Sequence, residues 1–304
     1  MNTPSGNRRN AVLCGTALCL LSVFFIINKH AATQPEPVFK GFGKAELVTV
    51  NGYTEDIMEP FISRDGKTLY FNNSNATGVN TEILSADRQP DGAFMYRGPV
   101  PGVNSPVLDG VATMDDAGWF YFVSVRSYDK DQCTIYRGRM KNGTVTGVAA
   151  VPGVSEKIPG HVNFDVDITP DGKTLYFVDS IFHNGQPAHA TLTIAEKQPD
   201  GSFKRRTDSS KIMASVNTGK LQYAACISRD QKTLYFTRLS AGLPPRIGIF
   251  VAHRSSVNAP FETPMKVEAC DGFVEAAALT PDEKTIYFHR KDGSKYRLYR
   301  TTLK

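Results

Sequence analysis

The chain has 304 residues, 41% of them hydrophobic and 10% aromatic, enough apolar material for a sizeable core and too much for global disorder. Its formal net charge of +5 comes from Lys and Arg scattered along the sequence rather than gathered into a stripe, so nucleic acid is not an expected partner.

The first element in the chain is an address. Arg8 and Arg9 precede the uncharged run "AVLCGTALCLLSVFFII", Ala11 to Ile27, which has the charged start and apolar middle of an export signal. Its 17 residues also reach the lower limit of a membrane span. In the following "NKHAATQ", Lys29 and His30 stand where signal cleavage needs a small residue, so the expectation is an uncleaved signal-anchor helix, with a cleaved signal as the alternative. Residues 1–30 are read as this signal or anchor, 31–38 as a linker and 39–304 as the folded domain. That domain is expected on the periplasmic or extracellular side of the cytoplasmic membrane.

From residue 39 onward the sequence repeats itself. Five segments align: "ISRDGKTLYF" from Ile62, "TMDDAGWFYF" from Thr113, "ITPDGKTLYF" from Ile168, "ISRDQKTLYF" from Ile227 and "LTPDEKTIYF" from Leu279. Their acidic positions, Asp65, Asp116, Asp171, Asp230 and Asp282, follow one another at 51, 55, 59 and 52 residues. A period near fifty built from short alternating strands predicts propeller blades, because helical repeats need apolar spacings of three and four. Within each unit the residues before the Asp form an inner strand. The Asp makes a tight turn, its carboxylate bonding the amide two residues on, and the β-formers after it begin a second strand. Third strands follow, such as "TEILSADR" and "IGIFVAHR", and the Asp-Gly or Asn-Gly pairs of "QPDG" at Gln89, "KNG" at Lys141 and "QPDG" at Gln198 turn into fourth strands. The last unit stops at Lys304 after its third strand, so the segment beginning "FGKAELVTVNG" is expected to supply the missing outer strand. The predicted fold is all-β, a five-bladed propeller closed by an N-terminal outer strand.

The Asp-Gly-Lys-x-Leu-Tyr-Phe repeat resembles the WD-related propeller repeat of TolB-like proteins, many of them exported to the bacterial envelope. The resemblance covers residues 39–304 and implies the fold; the same repeat marks architecture in proteins that bind partners, in peptidase accessory domains and in some sugar-active enzymes. TolB has six such blades and a separate N-terminal domain, and this chain has neither, so a role in the Tol system is not carried over.

The motif turns occupy one face of the predicted ring, and the long dissimilar connections occupy the other. Binding residues concentrate on such loops. Ligand contacts are expected there from Asp109, Arg126, His161, Tyr223 and Arg238, with Arg246, Arg290, His183 and His189 able to ring the same mouth. Counting back from each motif Asp puts Met58, Asp109, Phe164, Tyr223 and Glu275 in one column. The stretch "EPFISRDGKTLYF" is also similar to the first-blade Asp-Pro opening of five-bladed arabinanases and xylosidases, with Glu59 where those have Asp. That similarity implies a glycosidase-like site of Glu59, Asp165 and Glu275 at the channel mouth, one acid protonating the leaving oxygen and another activating water. The leading expectation is a monomeric envelope module binding a protein or glycan on its long-loop face, and the alternative is a carbohydrate-active enzyme.

No cofactor or metal is expected. Asp165, Asp167 and Glu59 lack the contiguous spacing of a calcium loop, and His183 and His189 are too loosely spaced for zinc. Outside the leader, Cys133, Cys226 and Cys270 are an odd number without a zinc or disulfide pattern and read as small buried hydrophobes, with a bridge between Cys226 and Cys270 left open. The tyrosines Tyr70, Tyr121, Tyr176, Tyr235 and Tyr287 recur once per unit and are expected to pack between blades.

Overall fold

The computed structural model describes residues 36–75, 80–183, 186–240 and 246–304, and the expected signal or anchor segment lies outside them. Three two-residue strands come first: β1 (Val38–Phe39), β2 (Glu46–Leu47) and β3 (Val50–Asn51). The first blade then runs β4 (Met58–Ile62), β5 (Thr68–Asn72), β6 (Ile83–Arg88) and β7 (Phe94–Pro99). The second holds β8 (Asp109–Met114), β9 (Trp119–Ser124), β10 (Ile135–Lys141) and β11 (Thr144–Ala150), with the helical turn α1 (Tyr128–Asp131) before β10. The third holds β12 (His161–Ile168), β13 (Thr174–His183), β14 (Gln186–Lys197) and β15 (Phe203–Arg205). After α2 (Ser209–Ile212) come β16 (Gln222–Ile227), β17 (Thr233–Ser240), β18 (Arg246–His253) and β19 (Met265–Val267), and then β20 (Val274–Leu279), β21 (Thr285–Asp292) and β22 (Lys295–Thr302).

Each blade is an antiparallel sheet hydrogen-bonded in chain order. The inner strands touch in a ring, β4 with β8, β8 with β12, β12 with β16, β16 with β20 and β20 with β4. The protein is therefore an all-β, five-bladed propeller. The N-terminal strands lie along its outside: β1 pairs parallel with β19 in the fourth blade, β2 antiparallel with β22 in the fifth, and β3 parallel with β7 in the first.

The repeated turn works as its residues suggest. In the first blade Asp65 accepts from the Ser63 hydroxyl at 2.6 Å and the Lys67 amide at 3.1 Å, while Ser63 Oγ accepts the Thr68 amide at 2.9 Å. Asp171, Asp230 and Asp282 repeat this with Thr169, Ser228 and Thr280. The second blade departs from the pattern. Its turn is one residue shorter, Asp115 takes the place of the hydroxyl residue by accepting the Trp119 amide at 2.8 Å, and Asp116 instead pairs with Arg229 at 2.9 Å.

Between blades, the chain passes under the next outer strand. The carbonyls of Pro101 and Pro152 accept the amides of Val145 and Phe203, each at 2.9 Å. Asn104 and Asn217 grip the third strand of the blade just left, each bonding both backbone groups of Ile83 and Leu192 respectively, which accounts for "GVNS" and "SVNT" recurring at these strand ends. The tyrosine column packs between blades: Tyr70 meets Phe120 edge-on at 5.2 Å, Tyr287 meets Phe94 at 5.9 Å, and Arg88 and Arg254 donate to the hydroxyls of Tyr287 and Tyr176. Cys226 and Cys270 are both free, so the bridge left open by the sequence is not formed.

Two glycines separate conformational strain from close approach. Gly143 has φ +77° and open space around a Cβ, whereas Gly153 has φ +84° and a Cβ there would lie 1.8 Å from the Phe203 carbonyl oxygen. Gly143→Ala is expected to cost about 1 kcal/mol, for the backbone alone. Gly153→Ala is expected to cost about 3 kcal/mol or more, since a backbone carbonyl must move. Urea unfolding of the two variants checks this; equal costs would show that the blade crossing is not a tight constraint.

Candidate functional site

Every inner strand carries the same irregularity. Its ladder slips at Met58/Phe61, Gly110/Thr113, Phe164/Val166, Tyr223/Cys226 and Glu275/Ala278. Within these slips Glu59, Val111, Asp165, Ala224 and Ala276 take left-handed φ angles of 47°, 56°, 47°, 52° and 57°. Such a backbone costs ~1–2 kcal/mol at a non-glycine residue, and a bulge leaves its amide without a ladder partner. The preceding blade takes up that amide in four of the five crossings. Asn72 Oδ1 accepts from Val111, Asp165 Oδ2 from Ala224 and Thr237 Oγ1 from Ala276, each at 3.0 Å, and His289 Nδ1 accepts from Glu59 at 3.1 Å. One layer deeper, Thr113 Oγ1, Asp167 Oδ2 and Cys226 Sγ accept the amides of Ile168, Ile227 and Leu279 at 3.4, 2.9 and 3.3 Å.

All five bulge residues line one axial cavity of about 40 Å³. That is room for about three waters, at the ~10–15 Å³ each one needs. The floor is Arg64, which donates to the carbonyls of Met114 and Ile168 and lies 3.6 Å from Asp167. Burial pushes the Asp167 carboxyl up, and the Arg64 guanidinium opposes that shift.

Above this floor three carboxyl groups from three blades come together, each no more than 4% exposed: Glu59, Asp165 and Glu275. Their partners differ. Glu275 accepts from the Tyr223 hydroxyl through Oε1. Because His289 Nδ1 is an acceptor for the Glu59 amide, its ring proton sits on Nε2 and is donated to Glu275 Oε2 at 3.1 Å. Both Glu275 oxygens therefore accept, as those of an anion do. Among the described residues Glu59 has one side-chain partner, Asn75 Nδ2 at 3.0 Å on Oε1, and Asn75 is braced in turn by Asn72. Burial, then the nearby Asp165 and Glu275, hold the Glu59 carboxyl well above the usual carboxylate range. Asp165 is pushed up to about 7 by burial and by Glu275, against the Ala224 amide that lowers it. Burial and Glu275 also push the Tyr223 phenol up, so it serves as a hydroxyl donor.

The other expected site residues lie elsewhere. Because the second blade's turn is short, Gly110 rather than Asp109 falls in the column of Met58, Phe164, Tyr223 and Glu275. Asp109 is fully buried, accepts from Ser105 and pairs with Arg126, which also bonds the Val103 carbonyl and lies over Phe122 and Tyr136. This ion pair ties the blade connection in place instead of facing a ligand. Arg238 is likewise buried, donating to the carbonyls of Ser215 and Val216 and lying over Phe236 and Phe250. His161 is half-buried, 3.3 Å from Glu156, and Arg290 pairs with Asp292. Tyr223 does belong to the site, as the partner of Glu275. The side chains of His183 and Arg246 fall outside the described residues. Among the described residues no cluster of three His, Cys, Asp or Glu is arranged to hold a metal ion.

His289, Asn72 and Asn75 were not anticipated. The signal was present at the residue after each Tyr-Phe pair: Asn72, Val123, Val178, Thr237 and His289. Where that residue is polar it holds the next blade's bulge, and in the third blade, where it is Val178, Asp165 does so itself.

No protein-family model and no curated protein matches the chain. Solved structures do. An α-L-arabinofuranosidase from Podospora anserina, in complex with cellotriose, is 12% identical with a TM-score of 0.56 over 88% of this chain and 98% of that one. A family 117 glycoside hydrolase from the marine bacterium Zobellia galactanivorans is 12% identical with a TM-score of 0.56 over 88% and 91%. TolB from Acinetobacter baumannii is 15% identical with a TM-score of 0.43, and 82% of this chain spans only 54% of its length. At such identities the likeness is one of fold.

The buried acids set a pH dependence of stability. An unfolded Asp titrates near ~3.9, and Asp165 in the fold near about 7. Folding therefore takes up a proton, and the stability this contributes is complete at low pH and lost as pH rises through about 7. Asp165→Asn keeps the acceptor for the Ala224 amide and removes the charge. Thermal unfolding at pH 5 and pH 8 is expected to show a smaller loss for this variant than for the wild type; an unchanged loss would place the titration on another group.

Proposed function

We propose that the axial carboxyl cluster is a general acid–base site acting on a glycosidic linkage, carried by an exported propeller tethered to the cytoplasmic membrane through its N-terminal segment and closed by the strand β2. The observation that carries this reading is the meeting of three buried carboxyls from three blades with unlike partners, two side-chain donors on Glu275, the Ala224 amide on Asp165 and the Asn75 amide on Glu59. Environments that push neighbouring acids apart in affinity are what a paired acid and base require. Glu59, whose carboxyl is held well above the usual range by burial and by both other acids, is the general acid, donating to the leaving glycosidic oxygen. Asp165 is the general base. Its Oδ1 has no hydrogen-bond partner among the described residues, and once ionised it takes the proton of a water whose oxygen bonds to the anomeric carbon as the glycosidic bond breaks. Glu275, held by Tyr223 and His289, keeps its charge beside them and raises the proton affinity of both.

A second reading, an envelope module that binds a glycan or protein without cleaving it, is favoured by the shielding of the three carboxyls and by a cavity that takes waters and not a sugar ring. Incubation with plant and bacterial cell-wall oligosaccharides separates the two. Hydrolysis requires product release by the wild type, falling by about 10²-fold or more in Glu59→Gln and Asp165→Asn, within the range for losing a general acid or base. Because the base must be ionised, the rate should rise with pH through about 7. Binding of an oligosaccharide with no product in any variant would favour the module.

A further inference from the structure

We infer that the outer rim of the fourth, fifth and first blades lies against an anionic lipid bilayer. Eight large apolar side chains are exposed among the described residues, and four of them follow one path around the ring: Val38 at 46%, Leu303 at 40%, Leu47 at 60% and Met95 at 42%. Each belongs to the N-terminal wrap or pairs with it. Val38 is in β1 and Leu47 in β2, Leu303 bridges to Phe42, and Met95 stands opposite Asn51 of β3. The wrap thus lays apolar side chains outward over three consecutive blades, where an edge exposed to water would be expected to carry charge. Of the other four, Val107, Ile158 and Ile181 lie on the long-loop side and Val257 in the connection between β18 and β19, away from this path.

The occupant follows from the chain that precedes the rim. The apolar run Ala11 to Ile27 ends 11 residues before Val38, and the intervening stretch contains Pro35 and Pro37. Fully extended, that stretch reaches at most ~40 Å. A segment seated in a bilayer therefore keeps the β1 rim at the membrane surface and at high effective concentration there, where weak apolar contacts suffice for docking. Lys44 and Lys304 are exposed along the same path, matching anionic headgroups, while the rim acids Glu46 and Glu268 are paired with Arg300 and Lys40. The rim is remote from the axial carboxyls, so the inference stands or falls independently of the hydrolytic reading.

The test uses the full-length chain, reconstituted in phosphatidylglycerol-containing vesicles with or without bromine on the acyl chains. Trp119, the sole tryptophan, is replaced by Phe, and a single tryptophan is introduced by Leu47→Trp, Met95→Trp or, on the long-loop side, Ile158→Trp. The first two should lose roughly half their emission to brominated lipid, as interfacial side chains do, and the third should not. Circular dichroism confirms that each variant is folded. Equal emission from positions 47 and 158, a chain that does not float with the vesicles, or a dimer that protects position 47 from brominated lipid would each overturn the inference.

Discussion

The propeller depends on what happens to one backbone amide per blade. Each inner strand must bulge to aim a side chain at the axis, and the bulge frees an amide in a place that water hardly reaches. A buried donor left unpaired costs ~1–3 kcal/mol, on top of the left-handed backbone. The fold answers both with acceptors from the preceding blade: Asn72, Asp165, Thr237 and His289. These crossings do for the axis what β1, β2 and β3 do for the rim. They join blades at the axis, as the tyrosine hydroxyl bonds and the Asp116–Arg229 pair do farther out.

The same clasp assembles the carboxyl cluster. A bulge presents its residue to the channel whatever that residue is, and in the second, fourth and fifth blades it presents Val111, Ala224 and Ala276, which are inert. In the first and third it presents Glu59 and Asp165. Glu275 arrives one residue before its own bulge, where Tyr223 of the fourth blade and His289 of the fifth can both reach it. His289 has two tasks, and they fix each other: accepting the Glu59 amide on Nδ1 leaves Nε2 as the donor to Glu275. The backbone strain is therefore a property of the architecture, and the chemistry comes from which two of the five positions carry acids. With Arg64 committed to Asp167 and two carbonyls one layer below, no cation among the described residues pairs with the three acids, and proton uptake is what relieves their repulsion.

Much of this was legible in the sequence, and the reasons are physical. Four copies of a hydroxyl-x-Asp-x-Lys turn and one shortened variant at Asp115 specify five hairpins, because the turn is made by local bonds within about five residues. The recurrence of Val-Asn at the strand ends is legible as a repeated pattern, although the bonds that explain it reach back 21 and 25 residues to Ile83 and Leu192. Glu59, Asp165 and Glu275 could be singled out because acids placed just before an inner strand stand out against apolar neighbours. The failures came where one residue more or less changes the outcome. The shortened turn at Asp115 shifts Asp109 off the column and into a buried pair with Arg126. Arg126 and Arg238 look like ligand contacts in a loop, yet both bond carbonyls and lie over aromatic faces that only the folded chain brings near. His289 went unnoticed because its partners, Glu59 and Glu275, lie 230 and 14 residues away.

The central claim is that a buried carboxyl shares the axis with an ionised neighbour at neutral pH and keeps its own proton. Difference infrared spectroscopy of the wild type against Glu59→Gln at pH 7 tests it directly. The account predicts a protonated-carboxyl stretch in the wild type that is lost in the variant. A difference spectrum showing only carboxylate bands would contradict it, since Glu59 would then be ionised beside Asp165 and Glu275.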